Sequence, residues 1–374
     1  MKKQKINSGY CPQAVLIHNA RLINGDRITD NSWILIKNKK IFKTGRGLNP
    51  ALKDTIYINA KAGYVAPGFI DLHIHGDIRK ISNMQVKTGT TGFLHSLHTR
   101  SINQFSKLLS DSLDSILIGS RCLGFHLEGP FINKNMAGAQ PKQFIIGPDA
   151  RAIKTWIKKS SEKIKIMTIA PELKNSMSLI KMLRKNKIVA AIGHTDANID
   201  QTKKAIDYGC FYTTHVFNRM SGISSRKPGV IAQVLLDERI TAEVIADSHH
   251  VHPDNLRLLV KCKGADKIVL VSDSVTAMDR KSLKIVEGVY CMENLTIAGS
   301  KLNLLQAVKN MVYLCGVSIT NAVKMASLNP AKIIGVDNIK GIITKGYDAD
   351  IVIFDKKFNC KMTIVNGNIV YNKI

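Results

Sequence analysis

The sequence predicts an α/β protein in which a (β/α)8 TIM-like barrel carries a small β-sandwich domain built from both chain termini. Three observations support this fold class. Eight apolar runs alternate with helical stretches across the middle of the chain. Most of these runs end in a polar cluster, and the active sites of such barrels lie at the C-terminal ends of the strands. Both ends of the chain instead contain short strands separated by turns.

The two terminal segments predict the small domain. Near the start, AVLIHNARLI, SWILIKNKKIF and DTIYINA read as strands separated by Asn-Gly, Asn-Lys and glycine-rich turns. The same texture returns near the end in DADIVIFD and MTIVNGNIVY. We therefore predict a β-sandwich domain from residues 1–65 and 337–374, and a barrel domain from residues 66–336.

The central apolar runs lack strict alternation, as expected of parallel strands that are buried on both faces. A chain of 374 residues has room for a barrel of about 250 residues and an attachment. A doubly wound open sheet is the alternative, but it explains less well why polar groups end nearly every strand. The eight runs are GFIDLHIHG, TTGFLHSLH, CLGFHLEGP, IKIMTIAPE, IVAAIGHT, FYTTHVFN, ITAEVIAD and KIVLVSDS.

Two features follow the eighth run. VEGVYCMENLTIAGS resembles a β-hairpin. In SLNPAKIIG, Asn329 is a candidate helix N-cap, Pro330 suits the first helical position, and Gly335 suits the position after the helix end.

The composition is that of a globular protein, with 45% hydrophobic and 22% charged residues. The chain contains no run of 18 apolar residues that would predict a membrane span, and its start has no apolar segment typical of a secretory signal. The seven cysteines include no CxxC pair. This pattern argues against a disulfide framework and predicts a cytoplasmic protein.

The chain carries 54 Lys and Arg against 28 Asp and Glu, a net charge of +26. Such an excess is typical of proteins that bind polyanions. Here the lysines are scattered through the whole chain and accompany many Ile and Asn residues, which points to a bias toward AT-rich codons. We therefore expect neither a nucleic-acid nor a membrane partner, although the charge would attract an anionic substrate.

Polar residues at the strand ends are the candidates for chemistry. His73 and His75 lie two residues apart on the first barrel strand, where the two-residue period puts both on one face. Each candidate alone also fits a structural role, as a core histidine, a buried ion pair or a helix cap. Together they would converge at one end of a barrel. The other members end the third, fifth, sixth and eighth strands, and they are Glu128, His194, His215 and Asp273.

Imidazole and carboxylate ligands without thiolates suit a catalytic Zn²⁺ or Fe²⁺ rather than a structural zinc site. A bound divalent metal lowers the pKa of a water ligand to about 7 and polarises a carbonyl group. Asp273 would then act as the general base and acid, taking a proton from the water and returning it to a leaving amine. The number of ions, one or two, stays open.

The order of the motifs APGFIDLHIHG, HLEGPF, GHT, THVFN and VSD resembles the amidohydrolase superfamily. Within it, HLEGPF followed by APE and by HxFNxM is similar to the N-acetylglucosamine-6-phosphate deacetylase family. Matching stretches run nearly from end to end of the chain. The resemblance implies hydrolysis of the acetamide of N-acetylglucosamine 6-phosphate by a metal-activated water, in amino-sugar breakdown.

The resemblance also implies roles for individual residues. The main metal ligands would be Glu128, His194 and His215, with His73 and His75 available for a second ion. Asp273 and His250 would be catalytic. Arg226 would reach the 6-phosphate from the neighbouring subunit, which implies a homodimer. The residues implied in substrate binding are Asn218, Arg219, Arg226, Gln140 and Ala139.

Four departures from the family pattern stand out. Gln140 replaces the histidine of a GAH or GTH motif, and Arg219 replaces the alanine of HxFNAM, so it would either bind the phosphate or crowd it. The segment 76–88 is short, which predicts a missing or reduced first helix. We expect His95 and His98 to be structural or surface residues.

Two rival functions remain open. One is a sibling amidohydrolase that acts on another N-acyl amine, such as an N-acetylgalactosamine phosphate or a dipeptide. The other is a barrel that has drifted into a non-catalytic or nucleic-acid-binding role, which Gln140, Arg219 and the charge of +26 would favour. The presence of all five expected ligands and Asp273 argues against the second rival.

Overall fold

A computed structural model describes residues 14–110, 118–278 and 283–374. The basic start of the chain, with Cys11, lies outside these residues. The described strands are β1 Ala14–Asn24, β2 Arg27–Lys37, β3 Lys40–Arg46, β4 Thr55–Asn59, β5 Tyr64–Pro67, β6 Phe69–Gly76, β7 Thr90–His98, β8 Arg121–Glu128, β9 Ile164–Ile169, β10 Val189–Ile192, β11 Tyr212–Thr213, β12 Ala242–Ile245, β13 Ile268–Val271, β14 Ser274–Ala277, β15 Lys284–Val286, β16 Val289–Cys291, β17 Ile297–Gly299, β18 Ile351–Phe354, β19 Cys360–Val365 and β20 Asn368–Asn372.

The helices occupy much of the sequence between these strands. The described α-helices are α1 Ile78–Gln85, α2 Ile102–Ser110, α3 Ala150–Lys159, α4 Ser176–Lys185, α5 Ile199–Tyr208, α6 Val230–Leu236, α7 Pro253–Lys263, α8 Leu304–Cys315, α9 Ile319–Ala326 and α10 Leu328–Ile333. Four short 3-10 helices lie at Val86–Thr88, Lys134–Met136, Lys142–Phe144 and Ala265–Lys267. No helix in the described part of the chain is both long and apolar enough to cross a membrane.

The central strands form a parallel sheet that fits a TIM-like barrel. Seven strands pair in the order β11-β10-β9-β8-β7-β6-β14, and β12 pairs with β13. A parallel bridge between Tyr212 and Thr241 joins β11 to the start of β12. On the other side, the backbone N–H of Asp273, just after β13, donates to the carbonyl of His73 on β6 at 2.8 Å. All eight predicted apolar runs contain a strand of this arrangement.

Both chain termini contribute to the second sheet, as predicted. Its eight strands lie in the order β20-β19-β18-β5-β1-β2-β3, with β4 paired to β1. The central pairing joins the two ends of the chain, because β18 runs antiparallel to β5 from Ile351 opposite Pro67 to Phe354 opposite Tyr64. The description of this sheet as a sandwich and the domain boundaries remain predictions.

The outer helices bury an apolar face against the strands. In α3, Asp149 caps the N-terminus by accepting hydrogen bonds from the backbone N–H groups of Arg151 and Ala152 at 2.8 and 3.1 Å. Trp156, on the inward face, is fully buried. Its ring packs 4.9 Å from that of Phe105, measured between centroids. Such packing fixes the helices that support the strand ends.

A buried ion-pair cluster lies beside the terminal sheet. The ammonium of Lys340, which is only 5% exposed, lies 2.7 Å from Asp348 Oδ2 and 2.5 Å from Asp350 Oδ2. Lys40 reaches the other Asp348 oxygen at 2.6 Å. The cluster therefore links strand β3, near the N-terminus, to the loop that precedes β18.

Three local predictions compare with the structure as follows. Residues 284–299 form three antiparallel strands, β15 to β17, rather than one hairpin. The first helix is present as the eight residues of α1, so it is not missing, and its reduction relative to the family stays a prediction. Asn329 as an N-cap was wrong: Ser327 occupies that position, and α10 begins at Leu328. The carboxamide of Asn329 instead donates to the carbonyls of Ala265 and Ile268, which tie this helix to β13.

Candidate metal centre

The predicted site residues meet at one end of the parallel sheet. His73 and His75 lie on β6, and Glu128 is the last residue of β8. The other three follow β10, β11 and β13 by two residues each, and they are His194, His215 and Asp273. These three have φ angles of 48°, 29° and 47°. Left-handed backbone in side chains of this size is costly and is typical of functional sites.

Glu128, His194 and His215 form a close triangle of potential ligand atoms. Glu128 Oε1 lies 2.9 Å from His194 Nε2 and 3.1 Å from His215 Nε2, and the two ring nitrogens are 3.2 Å apart. Ligands around a tetrahedral Zn²⁺ with bonds of about 2.1 Å lie roughly 3.4 Å from one another. The triangle therefore fits a divalent cation with little movement.

A second group lies against the other oxygen of Glu128. His73 Nε2 and His75 Nε2 are 3.1 Å apart. Their distances to Glu128 Oε2 are 3.6 and 3.4 Å. Asp273 Oδ1 lies 3.2 Å from His75 Nε2 and 3.6 Å from His73 Nε2. The two oxygens of Glu128 thus face two different histidine groups, and the donor set suits a metal in each.

Hydrogen bonds at Nδ1 orient three of the four candidate ligand histidines, namely His73, His75 and His194. Nδ1 of His194 lies 2.8 Å from the carbonyl of Met136, and Nδ1 of His75 lies 3.0 Å from that of Ser96. A carbonyl can only accept, so Nδ1 carries the proton and Nε2 keeps a lone pair for a metal. His215 Nδ1 has no hydrogen-bond partner in the described part of the chain.

Opposite charges accumulate at this site. Burial opposes ionisation of Glu128, but the positive charge of His73 and hydrogen bonds from His194 and His215 outweigh it and hold the pKa of Glu128 well below its usual range. Burial likewise lowers the pKa of His75, but hydrogen bonds to Asp273 and Glu128 outweigh it and raise that pKa to about 9. A cation bound here would replace the protons of these histidines.

Sequence reasoning missed two buried residues beside the site. His73, Glu243 and His126 also lie close enough to form a ligand group. Both nitrogens of His126 are occupied, one at 3.1 Å from the carbonyl of Leu72 and the other at 2.9 Å from the Thr168 hydroxyl. This third group is therefore a hydrogen-bonded part of the core. The detectable signal for Glu243 was a carboxylate inside the apolar run ITAEVIAD.

The two main groups open into a cavity of about 760 Å³. Ten predicted site residues line it: His75, Glu128, Ala139, Gln140, His194, His215, Asn218, Arg219, His250 and Asp273. His73 lies behind them, fully buried, and Arg226 is exposed outside the cavity. His98 also lines the cavity, so it is more than a surface residue. Burial lowers the pKa of His98 to about 3, which keeps its ring neutral.

His250 is held by a neighbouring carboxylate that sequence reasoning did not single out. His250 Nδ1 lies 2.6 Å from Asp247 Oδ2. Asp247 Oδ1 also accepts from the backbone N–H groups of His249 and His250 at 2.9 and 2.8 Å. This network leaves His250 Nε2 as the ring nitrogen available to a ligand in the cavity.

The two departures Gln140 and Arg219 both lie on the wall of the cavity. Gln140 Oε1 accepts from the backbone N–H of Thr99 at 2.7 Å, which ties the loop to the end of β7. Gly138 has a φ of +60°, and a Cβ there would lie 2.9 Å from Arg219 Nε. The left-handed backbone at 138 favours glycine, and the Arg219 side chain passes close to it on the cavity wall.

A model of the amidohydrolase family matches residues 64–370. The chain belongs to the amidohydrolase family. One relative of this amidohydrolase, the N-acetylglucosamine-6-phosphate deacetylase of Lysinibacillus sphaericus, is 33% identical over 380 residues, which cover 95% of this chain and 97% of the relative. The N-acetylgalactosamine-6-phosphate deacetylase of Escherichia coli O157:H7 is 28% identical, with 82% of this chain and 88% of the relative covered.

Solved structures of amidohydrolases are similar over nearly the whole chain. The N-acetylglucosamine-6-phosphate deacetylase of Thermotoga maritima has a TM-score of 0.85 and 30% identity, with 96% of this chain and 99% of that chain covered. A mutant of the Mycobacterium smegmatis N-acetyl-D-glucosamine-6-phosphate deacetylase, in complex with N-acetyl-D-glucosamine-6-phosphate, has a TM-score of 0.88 and 28% identity. That match covers 96% of this chain and 100% of that chain.

Proposed function

We propose that this amidohydrolase hydrolyses the acetamide of N-acetylglucosamine 6-phosphate to glucosamine 6-phosphate and acetate. The observation that carries the proposal is the arrangement around Glu128, whose two oxygens each face a pair of histidines. Asp273 lies beside one of these pairs, and both Glu128 and Asp273 line the cavity. The names of the relatives at 33% and 30% identity support the substrate.

The proposed cofactor is a divalent metal, Zn or Fe, held by Glu128, His194 and His215. His73 and His75 would hold a second ion, with Glu128 shared between the two. When bound, such a metal polarises the substrate carbonyl and activates water for attack. Binding requires neutral imidazoles, so metal uptake would release protons from the histidines.

Asp273 is the proposed general base and acid. Burial opposes its ionisation, but the positive charge of His73 and a hydrogen bond from His75 outweigh it and lower the pKa of Asp273. The side chain is therefore a carboxylate that can accept a proton. It is 13% exposed and lies on the cavity wall, so it can reach both the attacking water and the leaving amine.

His250 is the proposed contact to the acetamide carbonyl and the sugar. Asp247 holds its Nδ1, which fixes the orientation of the ring and leaves Nε2 for the substrate. Hydrogen bonds to a developing oxyanion typically contribute about 10²–10³-fold to the rate.

The proposed sugar or phosphate contacts are Asn218, the backbone of Arg219, and the loop with Ala139 and Gln140. Arg226, exposed on the SSRKPG loop, would reach the phosphate in the cavity of a second subunit. An arginine suits this task because its planar fork binds phosphate with two hydrogen bonds. The homodimer and a cytoplasmic location remain predictions.

A second candidate substrate is N-acetylgalactosamine 6-phosphate. The similarity to the Escherichia coli enzyme of that name, at 28% identity, favours it. The two sugars differ only at one hydroxyl, so the same metal centre, acid and phosphate contacts would serve both. The difference would lie in a contact of the cavity wall.

Acetate release by the purified protein tests the proposal. The assay compares N-acetylglucosamine 6-phosphate, its galactosamine epimer and unphosphorylated N-acetylglucosamine, each with and without a chelator. We expect the first substrate to have the highest kcat/KM, and the chelator to abolish the activity. A preference for the epimer would indicate that N-acetylgalactosamine 6-phosphate is the substrate instead. No acetate release from any of the three compounds would refute the proposal.

A further inference from the structure

Glu243 is a buried carboxylate at the centre of β12, with no exposed surface. A charge in such a place is costly unless it is paired and hydrogen bonded. It lies on the seventh barrel strand, whose end contributes none of the proposed metal ligands. The residue therefore needs a reason other than direct ligation.

Three donors surround the carboxylate of Glu243. Its Oε1 lies 2.8 Å from His73 Nδ1 and accepts from the backbone N–H of His215 at 3.0 Å. Its Oε2 accepts from the hydroxyl of Tyr212 at 2.9 Å. One oxygen thus contacts a histidine of each ligand group, through the ring in one and the backbone in the other.

The contact to His73 determines which ring nitrogen faces the metal group. An ionised carboxylate accepts hydrogen bonds only, so Nδ1 carries the proton and Nε2 is left facing His75, Glu128 and Asp273. A carboxylate at the far nitrogen also makes an imidazole a more basic ligand. The His73 ring is further confined by the ring of His126, at 4.6 Å between centroids.

The contact to His215 acts on the first ligand group. The φ of His215 is +29°, a conformation that needs support from its surroundings. The hydrogen bond from its backbone N–H to Glu243 supplies part of that support. The two ligand groups therefore share a single buried anion beneath them.

We infer that Glu243 is a positioning residue that sets the metal affinity of the His73 and His75 group and supports the backbone of His215. The inference rests on the proposed function, because it assumes a metal at this site. Its role is separate from chemistry on the substrate, since Glu243 does not line the cavity.

Metal affinity of the folded protein tests this role. The variant Glu243→Gln keeps the size of the side chain and an oxygen for His73, but it removes the charge. We expect its affinity for Co²⁺ at the His73 and His75 group, measured by competition with a chromogenic chelator, to fall about 10–100-fold. The absorption bands of the bound Co²⁺ should shift as well, which a purely structural role would not produce.

Tyr212→Phe is the matched control, because it removes the donor to Oε2 and leaves both contacts of Oε1. Its Co²⁺ affinity should stay within about threefold of wild type. This change is much smaller than the loss of about 10–100-fold expected when the Glu243 carboxylate behind His73 is altered. Urea unfolding of the metal-free proteins shows whether each variant folds. Should Glu243→Gln fail to fold, Glu243→Asp, which keeps the charge but shortens the side chain, takes its place with the same expected loss.

Equal Co²⁺ affinity and equal spectra in wild type and Glu243→Gln would overturn the inference and leave the proposed function intact. An equal loss in Tyr212→Phe would also overturn it, because the effect would then follow any change in the core. Wild-type protein that binds no Co²⁺ and releases no acetate would instead refute the proposed function itself.

Discussion

Glu128 Oε1 lies 2.9 Å from His194 Nε2, although the two residues are 66 positions apart and lie at the ends of different strands of the parallel sheet. The second oxygen of Glu128 lies 3.4 Å from His75 Nε2. This one carboxylate therefore contacts histidines of both candidate ligand groups. Its substitution should affect every metal bound there.

We expect Glu128→Gln to lose its metal and to lower kcat/KM for N-acetylglucosamine 6-phosphate by about 10³-fold or more, because polarisation by the metal contributes several kcal/mol. Elemental analysis and acetate release measure the two effects. His252→Gln is the control, since that side chain is 69% exposed and should retain both properties. Full activity of Glu128→Gln would exclude Glu128 as an essential ligand.

Asp273→Asn separates proton transfer from ligation. We expect kcat to fall about 10²–10⁴-fold, the usual contribution of a general acid or base. The metal should remain at Glu128, His194 and His215, whose mutual contacts do not involve Asp273. Metal content and kcat are measured on the same sample. Loss of metal in proportion to activity would make Asp273 a ligand instead.

Arg226→Ala tests the proposed phosphate contact. We expect KM for the phosphorylated sugar to rise about 10- to 100-fold, in line with about 1.5–3 kcal/mol for a hydrogen bond to a charged group. Turnover of unphosphorylated N-acetylglucosamine should stay unchanged. Lys227→Ala, the adjacent and equally exposed cation, is the control for charge. The same rise in both variants would indicate general attraction rather than a specific contact.

Lys340→Met should destabilise the protein at pH 7 by about 3–5 kcal/mol, because it leaves the carboxylate of Asp350 buried without its cation and Asp348 with the half-exposed Lys40. Urea unfolding measures this difference. Lys345→Met, on an exposed side chain, is the control and should change the free energy of unfolding by less than about 0.5 kcal/mol.

The same variant has an expected pH dependence. Burial opposes ionisation of Asp348, but hydrogen bonds from Lys340 and Lys40 outweigh it and lower the pKa of Asp348 in the folded protein. The resulting stability is present above the ordinary pKa of an aspartate, about 3.9, and is lost as the pH falls through the lowered value. The difference between wild type and Lys340→Met should therefore hold from pH 7 to about pH 4 and shrink as the pH falls below that value. A constant difference would contradict the ion-pair explanation.

The sequence predicted the strands well, and it predicted that the candidate ligands would lie together, because both depend on local patterns. Most apolar runs end in polar side chains, and a parallel barrel brings such ends together, as for Glu128, His194 and His215. The order of the motifs then predicted the family, and the match of the amidohydrolase family model to residues 64–370 confirms it.

Other features depend on contacts between distant segments, which no local pattern reports. In the sequence, Glu243 is a single acidic residue within an apolar strand. Its role becomes visible only from its contacts with His73 and with the backbone of His215. Asn329 is a residue type that often caps helices. Its carboxamide instead donates to the carbonyls of Ala265, just before β13, and Ile268, the first residue of β13. The position of Arg226 relative to a cavity depends on a second subunit, so its role stays a prediction.

Anomalous diffraction from a crystal grown with Zn²⁺ tests the central claim most directly. The account predicts a peak at the zinc absorption edge within bonding distance, about 2.0–2.2 Å, of Glu128 Oε1, His194 Nε2 and His215 Nε2. The absence of a peak at these three atoms, in protein that releases acetate from N-acetylglucosamine 6-phosphate, would contradict it.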